Sequence, residues 1–433
     1  MSTPTILPID RNSVAELSRT RQEPEWMTSL RLKGLELAET LELPKLEKTR
    51  IDRWDLSAHG SYVKPEPIAS IGDLPETAKS LLNEEQTDNL IIQRNSGAVY
   101  AKLSEELAAK GVIFTDLETA LTKHADLIKP YFMELVKQDE NKLTALHSAV
   151  WNGGAFLYVP KNVQVDVPLQ ALYVTDDASA SFTPHVLIVA EANSSVGYVE
   201  NLVSSGSGSI VVNGVVEVFV KANASVRFAT VHNLGEAVTD ISYRRANVDK
   251  DARVEWIVGE MNYGNAMSDT TSILKGSGSF SDTKAIAVGT AEQKLNYTTR
   301  AVHFGKHSSS DMITRAVMRD SASAIINGIT KIEKGATGTN GQQTEKVLML
   351  SPKARGDANP ILLIDEDDVK AGHAASVGQV NQEQVYYLMS RGISRAEAER
   401  LIIYGFLAPV VSEIPIEQIQ GQLQQLVERK LGQ

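Results

Sequence analysis

The 433-residue sequence contains no cysteine. Disulfides, a Cys-ligated zinc and a thiolate nucleophile are therefore excluded for this chain. Positive charge is also short: 43 Lys and Arg against 54 Asp and Glu leave a net charge of −11. Nucleic acid and anionic membrane both require a basic stripe, so neither is expected as a main partner. Aromatic residues make up only 6% and are thinly spread, which speaks against a long carbohydrate-binding groove. No apolar run approaches ~18 residues. The opening stretch MSTPTILPIDRNS lacks a basic segment followed by an apolar one, so no secretory signal and a cytoplasmic setting are expected. Chemical motifs are missing as well. There is no G-x-x-x-x-G-K-[ST] phosphate loop, no H-E-x-x-H and no G-x-S-x-G. The glycine-rich stretches 206–208 and 335–341 lack the strand–glycine–helix context of a dinucleotide turn and read as corners.

What is present divides into three textures. Residues 1–150 are mixed and mostly helical. Trp26, Leu30, Leu37 and Leu41 fall near helical spacing and Pro44 closes that run. Leu90–Val99 is strand-like, Thr115 and Glu118 fit a capping box, and a further helix is expected over Tyr131–Val150. From 151 to 378 short Val-, Ile-, Thr- and Phe-rich runs alternate with small-residue turns, as in Val215–Val220 and Val226–Ala229.

This central region carries a loose repeat. Asn193-Ser194-Ser195-Val196, Asn223-Ala224-Ser225-Val226 and Asp251-Ala252-Arg253-Val254 share a turn former, small or polar residues and then valine, about 30 residues apart. Gly276–Phe280 and Asp320–Ala324 are looser echoes. A recurring corner of this length is what a β-solenoid requires, because the inward side chains of one rung are buried only by the next. A sandwich or barrel is the competing architecture.

Residues 379–433 are helical. Asn381 and Ser394 open helices, Gly392 stops the first, and Pro409 and Pro415 are expected to interrupt the chain. Ile416, Ile419, Leu423, Leu426, Val427 and Leu431 then form one apolar stripe. These helices either cap the solenoid or dock a partner.

Histidine is the remaining source of chemistry. His303 and His307 would lie ~13 Å apart on an extended strand, too far to share an ion, so a structural or interfacial role is expected. His373 follows the acidic run Asp365–Asp368 and is flanked by small residues. It is either an iron ligand or proton carrier, or a hydrogen-bonded structural residue.

The tail phrases carry a resemblance. Asn359–Ile364, Asp367-Asp368-Val369 and His373-Ala374-Ala375-Ser376-Val377-Gly378 are followed in order by Tyr386–Ile393, Ala398, Ile402–Phe406 and Ser412–Pro415. Together they resemble the core signature of the SufB/SufD family. Glu23–Trp26, Trp151–Phe156 and Val159–Lys161 are similar to its upstream phrases. The resemblance implies a right-handed parallel β-helix between an N-terminal α/β, mostly helical region and a C-terminal helical one. It implies that SufB and SufD pair through their solenoids, and that each docks SufC, an ABC-type ATPase, through its C-terminal helices. It further implies a scaffold rather than an enzyme, with sulfur arriving on SufB and ATP hydrolysis left to SufC.

A subunit that receives sulfur needs cysteine, so this chain resembles the SufD branch. The matching histidine is His373, expected beside the partner's cysteine where iron or an iron–sulfur cluster forms transiently. No cofactor is expected to be held tightly by this chain alone. Where some relatives carry a cysteine two residues earlier, this sequence has Ala371, so the resemblance implies a one-histidine contribution. Tyr404, Phe406 and Glu413 are the expected SufC-docking residues. A homodimer of the isolated chain, a SufB-like homodimeric scaffold and a polysaccharide-active β-helix enzyme stand as alternatives.

Overall fold

A computed structural model describes residues 9–68, 70–79, 81, 88–412 and 417–431. The β texture forms a parallel solenoid of about eight turns, flanked by an N-terminal α/β region and C-terminal helices. From Gly154–Val159 to Val369–Gln379 the strands alternate between a 9-stranded and a 10-stranded sheet, so each turn contributes one strand to each. Successive turns stack residue on residue: Val196, Val226 and Val254 are register partners, as are Tyr198, Phe228 and Trp256. The three rings meet at centroid distances of 5.3 and 5.1 Å, and each such pair adds ~0.5–1.5 kcal/mol beyond its buried area. Alternation explains the pattern, since every second side chain points into the lumen and is covered only by the neighbouring turns.

The repeated phrase is one corner of the coil. Asn162, Asn193, Asn223 and Asp251 all have φ between 54° and 65°, a left-handed conformation that Asn and Asp tolerate better than most residues. Asn193 Nδ2 donates to Asn162 Oδ1 at 2.8 Å, and Asn223 Nδ2 to Asn193 Oδ1 at 3.2 Å. Gly278, His307 and Gly338 continue the corner in later turns, each with positive φ and a backbone N–H bonded to the next. Asp320 does not belong to this series. It lies between Ser309–Met318 and Ser323–Ile332, on the opposite corner, where the chain passes from the 10-stranded to the 9-stranded sheet.

The N-terminal region closes one end. The hairpin Leu90–Arg94 and Gly97–Lys102 completes the 10-stranded sheet, and Ile113–Asp116 lies antiparallel on Gly154–Val159. Two sequence expectations change here. The helix expected over Tyr131–Val150 spans only Lys142–Val150, capped by Asn141. The segment before it is diverted by the buried Glu217 carboxylate, which accepts from the backbone N–H groups of Met133, Leu135 and Val136 at 2.6–3.0 Å. The helix cap is Asp116, accepting from Thr119 N at 2.8 Å, because Thr115 is committed to pairing with Phe156.

The C-terminal helices are Gln382–Ser390, Arg395–Val411 and Glu417–Lys430. Asn381 and Ser394 cap the first two, and Gly392 has φ 88°. The stripe of Leu423, Leu426, Val427 and Leu431, with Ile403, Leu407 and Val410, packs on the outer face of the 10-stranded sheet against Val231, Ile257, Ile286 and Val317. Pro409 sits inside the helix Arg395–Val411 instead of interrupting it. Near a helix end its missing N–H costs a single hydrogen bond, and packing of Leu407, Val410 and Val411 holds the turn. Pro415 and Ile416 lie outside the described residues. No helix among the described residues is long and apolar enough to cross a membrane.

Candidate functional site at the open end of the solenoid

Among the described residues, nothing covers the end opposite the N-terminal region. Arg355–Ile364 is the last strand of the 9-stranded sheet and Val369–Gln379 the last of the 10-stranded sheet. Each leaves a row of backbone donors and acceptors facing outward, the arrangement that recruits further strands. Ile361, Leu363, Ile364 and Val377 are exposed along these edges, so the end offers apolar surface as well as hydrogen bonds.

His373 lies on this terminal strand and is exposed. Its register partner one turn inward is Gln343. Parallel partners present the same face, so the His373 side chain belongs to the lumen row and stands at its mouth. Gln343 is buried, with Thr330 Oγ1 donating to its Oε1 at 2.7 Å and its Nε2 donating to Gly328 O at 3.1 Å. The acidic run beside His373 forms the last corner. Glu366 accepts from Gly335 N at 2.9 Å and faces Lys334 at 3.6 Å, and Asp368 O accepts from Gly338 N. Those groups hold the turn together and do not converge on His373.

Two residues along from Gln343, on the same buried face, is Glu345. Both its carboxylate oxygens are buried without a hydrogen-bond partner. Burial pushes the group up to about 7, with its own backbone N–H pulling the other way. The side chain reaches across the lumen to Gly328: a Cβ built there would stand 1.7 Å from Oε1. Thr314, the register partner of Glu345 one turn inward, and Thr299, the register partner of Gly328, also have buried hydroxyls without partners. Sequence reading passed over Glu345, yet a signal was there. The alternation Gly341, Gln343, Glu345, Val347 places an acidic residue on a buried parity.

A second polar cluster lies deep in the coil. His232 Nδ1 meets Asp240 Oδ2 at 2.7 Å, and Asn262 Nδ2 donates to the same oxygen at 2.8 Å. The ligand atoms of His232, Asp240 and Glu260 are close enough to hold one metal ion. Arg244 already supplies the cation, contacting His232 Nε2 at 2.7 Å and Glu260 Oε1 at 3.1 Å. This cluster reads as a structural ion network.

Comparison with known proteins identifies the family. Residues 173–406 match the family model described as SUF system FeS cluster assembly, SufBD core domain, and residues 83–171 match the SufBD protein N-terminal region. The chain belongs to the SufBD family. It is 51% identical to the iron-sulfur cluster assembly protein SufD of Bacillus subtilis, over 100% of both chains. It is 31% identical to an iron-sulfur cluster assembly SufBD family protein of Staphylococcus epidermidis, over 94% of this chain and 90% of that one. A family member of the same description from Staphylococcus aureus is 32% identical over the same shares.

The residues expected to dock SufC scatter. Tyr404 is half-buried, and its hydroxyl donates to Glu428. Phe406 is half-buried against the 10-stranded sheet, with Arg315 5.3 Å over its ring and bonded to its carbonyl. Glu413 lies outside the described residues. Among the described residues, the large apolar and aromatic side chains that face solvent on these SufBD helices are Tyr386 at 74% exposure, Tyr387 at 57%, Met389 and Leu401. His303 ends its strand and His307 sits on the turn after it. His303 is buried in the lumen between Ser308 Oγ and Ser310 Oγ, each at 2.9 Å, while His307 is exposed at the corner.

Proposed function

We propose that this chain is a non-catalytic scaffold subunit of a cytoplasmic SUF iron–sulfur assembly complex, joined through the open solenoid end to a cysteine-bearing SufB partner. The observation that carries the reading is the pair of unpaired terminal strands with His373 on the lumen row between them. Strand addition at both edges extends the two sheets into the partner and buries Ile361, Leu363, Ile364 and Val377. His373 then lies in the seam, where its imidazole serves a nascent cluster whose thiolate and sulfide come from the partner. Iron and sulfide are cargo in this scheme, and the chain itself breaks no bond.

The C-terminal helices serve the second partner, the ATPase SufC. Their inner faces are spent on the solenoid, which leaves Tyr386, Tyr387, Met389 and Leu401 as the docking surface. ATP-driven closure of two SufC subunits, one on each scaffold chain, shifts the seam and opens His373 to iron. ATP has the differential affinity for open and closed states that such a shift requires.

The test is reconstitution with the SufB-type and SufC-type proteins of the same organism. His373→Ala should leave the complex assembled and cut cluster build-up at least tenfold. Normal build-up by that variant, or failure of the wild-type chain to capture either protein, overturns the reading.

A further inference from the structure

Glu345 has no structural reason to be an acid. Glu217 is equally buried, but its two oxygens take three backbone N–H groups and His185 Nε2 at 3.1 Å. Glu200 accepts from Thr230, and Glu260 from Arg244. Among the described residues only Glu345 keeps both carboxylate oxygens buried and unpartnered. It does so on the last covered turn, beside two further unpartnered hydroxyls, Thr314 Oγ1 and Thr299 Oγ1. Four oxygen atoms on two adjacent turns and two facing walls of the lumen therefore lack partners. A hydrated or ion-binding spot supplies what they lack, and an apolar core does not.

Its position relates it to the mouth. Glu345 is one turn inward and two residues along from His373, on the same face. Rungs ~4.8 Å apart and a rise of ~3.3 Å per residue set the two Cβ atoms ~8 Å apart. A carboxylate turned from Gly328 toward the mouth and an imidazole bridge that span through one ion at ~2.1 Å from each. The residue directly over Glu345 is Ala375, and Ala371 lies on the other side of His373 along the same row. Neither is bulky enough to fill the space between the mouth and the carboxylate.

We propose that Glu345 and His373 form a divalent-cation site at the mouth of the solenoid, in which Glu345 supplies the hard oxygen ligand from inside the coil. A nitrogen and carboxylate oxygens with water suit a borderline first-row cation of the ferrous type. On this account the chain contributes two ligands to iron entry, one from the terminal strand and one from the turn beneath it. The inference rests on the assignment of His373 to the cluster-forming seam.

The experiment is anaerobic equilibrium dialysis of the isolated full chain against Fe²⁺, with Glu345→Gln, Glu345→Asp and His373→Ala beside the wild type. Glu345→Gln keeps the shape and the burial, and its thermal midpoint checks folding. About one Fe²⁺ per wild-type chain is expected, with at least tenfold weaker binding in Glu345→Gln and in His373→Ala, and partial retention in Glu345→Asp. Equal binding by Glu345→Gln and wild type, or no binding by wild type, overturns the site. Cluster build-up in the reconstituted complex separates the two ideas. A defect in His373→Ala with none in Glu345→Gln sinks the carboxylate ligand alone. Normal build-up in both sinks the seam assignment as well.

Discussion

Gly328 and Glu345 compete for one volume inside the coil. A Cβ on Gly328 would lie 1.7 Å from Glu345 Oε1 and 2.6 Å from its Cδ. Gly328 has an ordinary strand backbone, so the requirement for glycine is space and not conformation. Gly328→Ala must push the carboxyl off its berth within an enclosed lumen, at a cost of ~1–3 kcal/mol. Urea unfolding should show that loss, and the same substitution made on a Glu345→Ala background should be nearly neutral. An equal loss in both backgrounds would mean that Gly328 is needed for something other than the acid.

Buried neutral histidines set the response to acid. His303, between two serine hydroxyls, is held down to about 4 by burial. The unfolded chain takes up this proton near 6.5 and the folded chain only near 4. Between those values the unfolded state binds more protons, so stability rises with pH across the window and is lost as pH falls from about 6.5 to about 4. Burial moves His59 to about 4 and His185 to about 3, in the same direction. His303→Gln should flatten the profile of unfolding free energy against pH in that window by up to ~3 kcal/mol. A profile parallel to wild type would assign the acid sensitivity elsewhere.

Lys430 fastens the last helix to the solenoid. Its buried amino group donates to Asn262 O, Val288 O and Gln293 Oε1, and burial lowers it to about 7. Lys430→Met keeps the aliphatic stem and removes every donor, leaving buried oxygens short of a partner at ~1–3 kcal/mol. The helix is peripheral, so the loss should be local. Limited proteolysis should cut within 417–430 several-fold faster while the melting of the solenoid changes little. Unchanged cleavage would show that Leu423, Leu426, Val427 and Leu431 hold the helix unaided.

The coil was legible because its signals are local. Alternation and a left-handed corner are written in consecutive residues, and Asn193, Asn223 and Asp251 carry them openly. Asp320 shares the chemistry of that corner and the same sign of φ, yet sits on the other side of the coil. Turn chemistry reports a bend, and only strand order reports which bend. The shortened helix before Val150 was hidden for a similar reason, since Glu217, about 80 residues downstream, takes the backbone N–H groups a helix would have used. His373 stood out through a phrase, whereas Glu345 acquires its meaning only from the turns stacked around it.

The proposed docking residues are separate from those that hold the helices to the solenoid. Tyr386 and Tyr387 are 74% and 57% exposed, and their side chains lie outside the apolar clusters of the core. Phe406 packs on the sheet and supports Arg315. Replacing Tyr386 and Tyr387 together by alanine should therefore leave the melting temperature within a degree or two, while weakening SufC capture at least tenfold, the expectation for exposed aromatic anchors at an interface. Phe406→Ala should do the reverse, destabilising the chain by ~2 kcal/mol or more and weakening capture only in proportion to the unfolded fraction. Titration of each variant with SufC, alongside its melting curve, distinguishes the two. Full affinity in the double tyrosine variant would move the dock to another face of these helices.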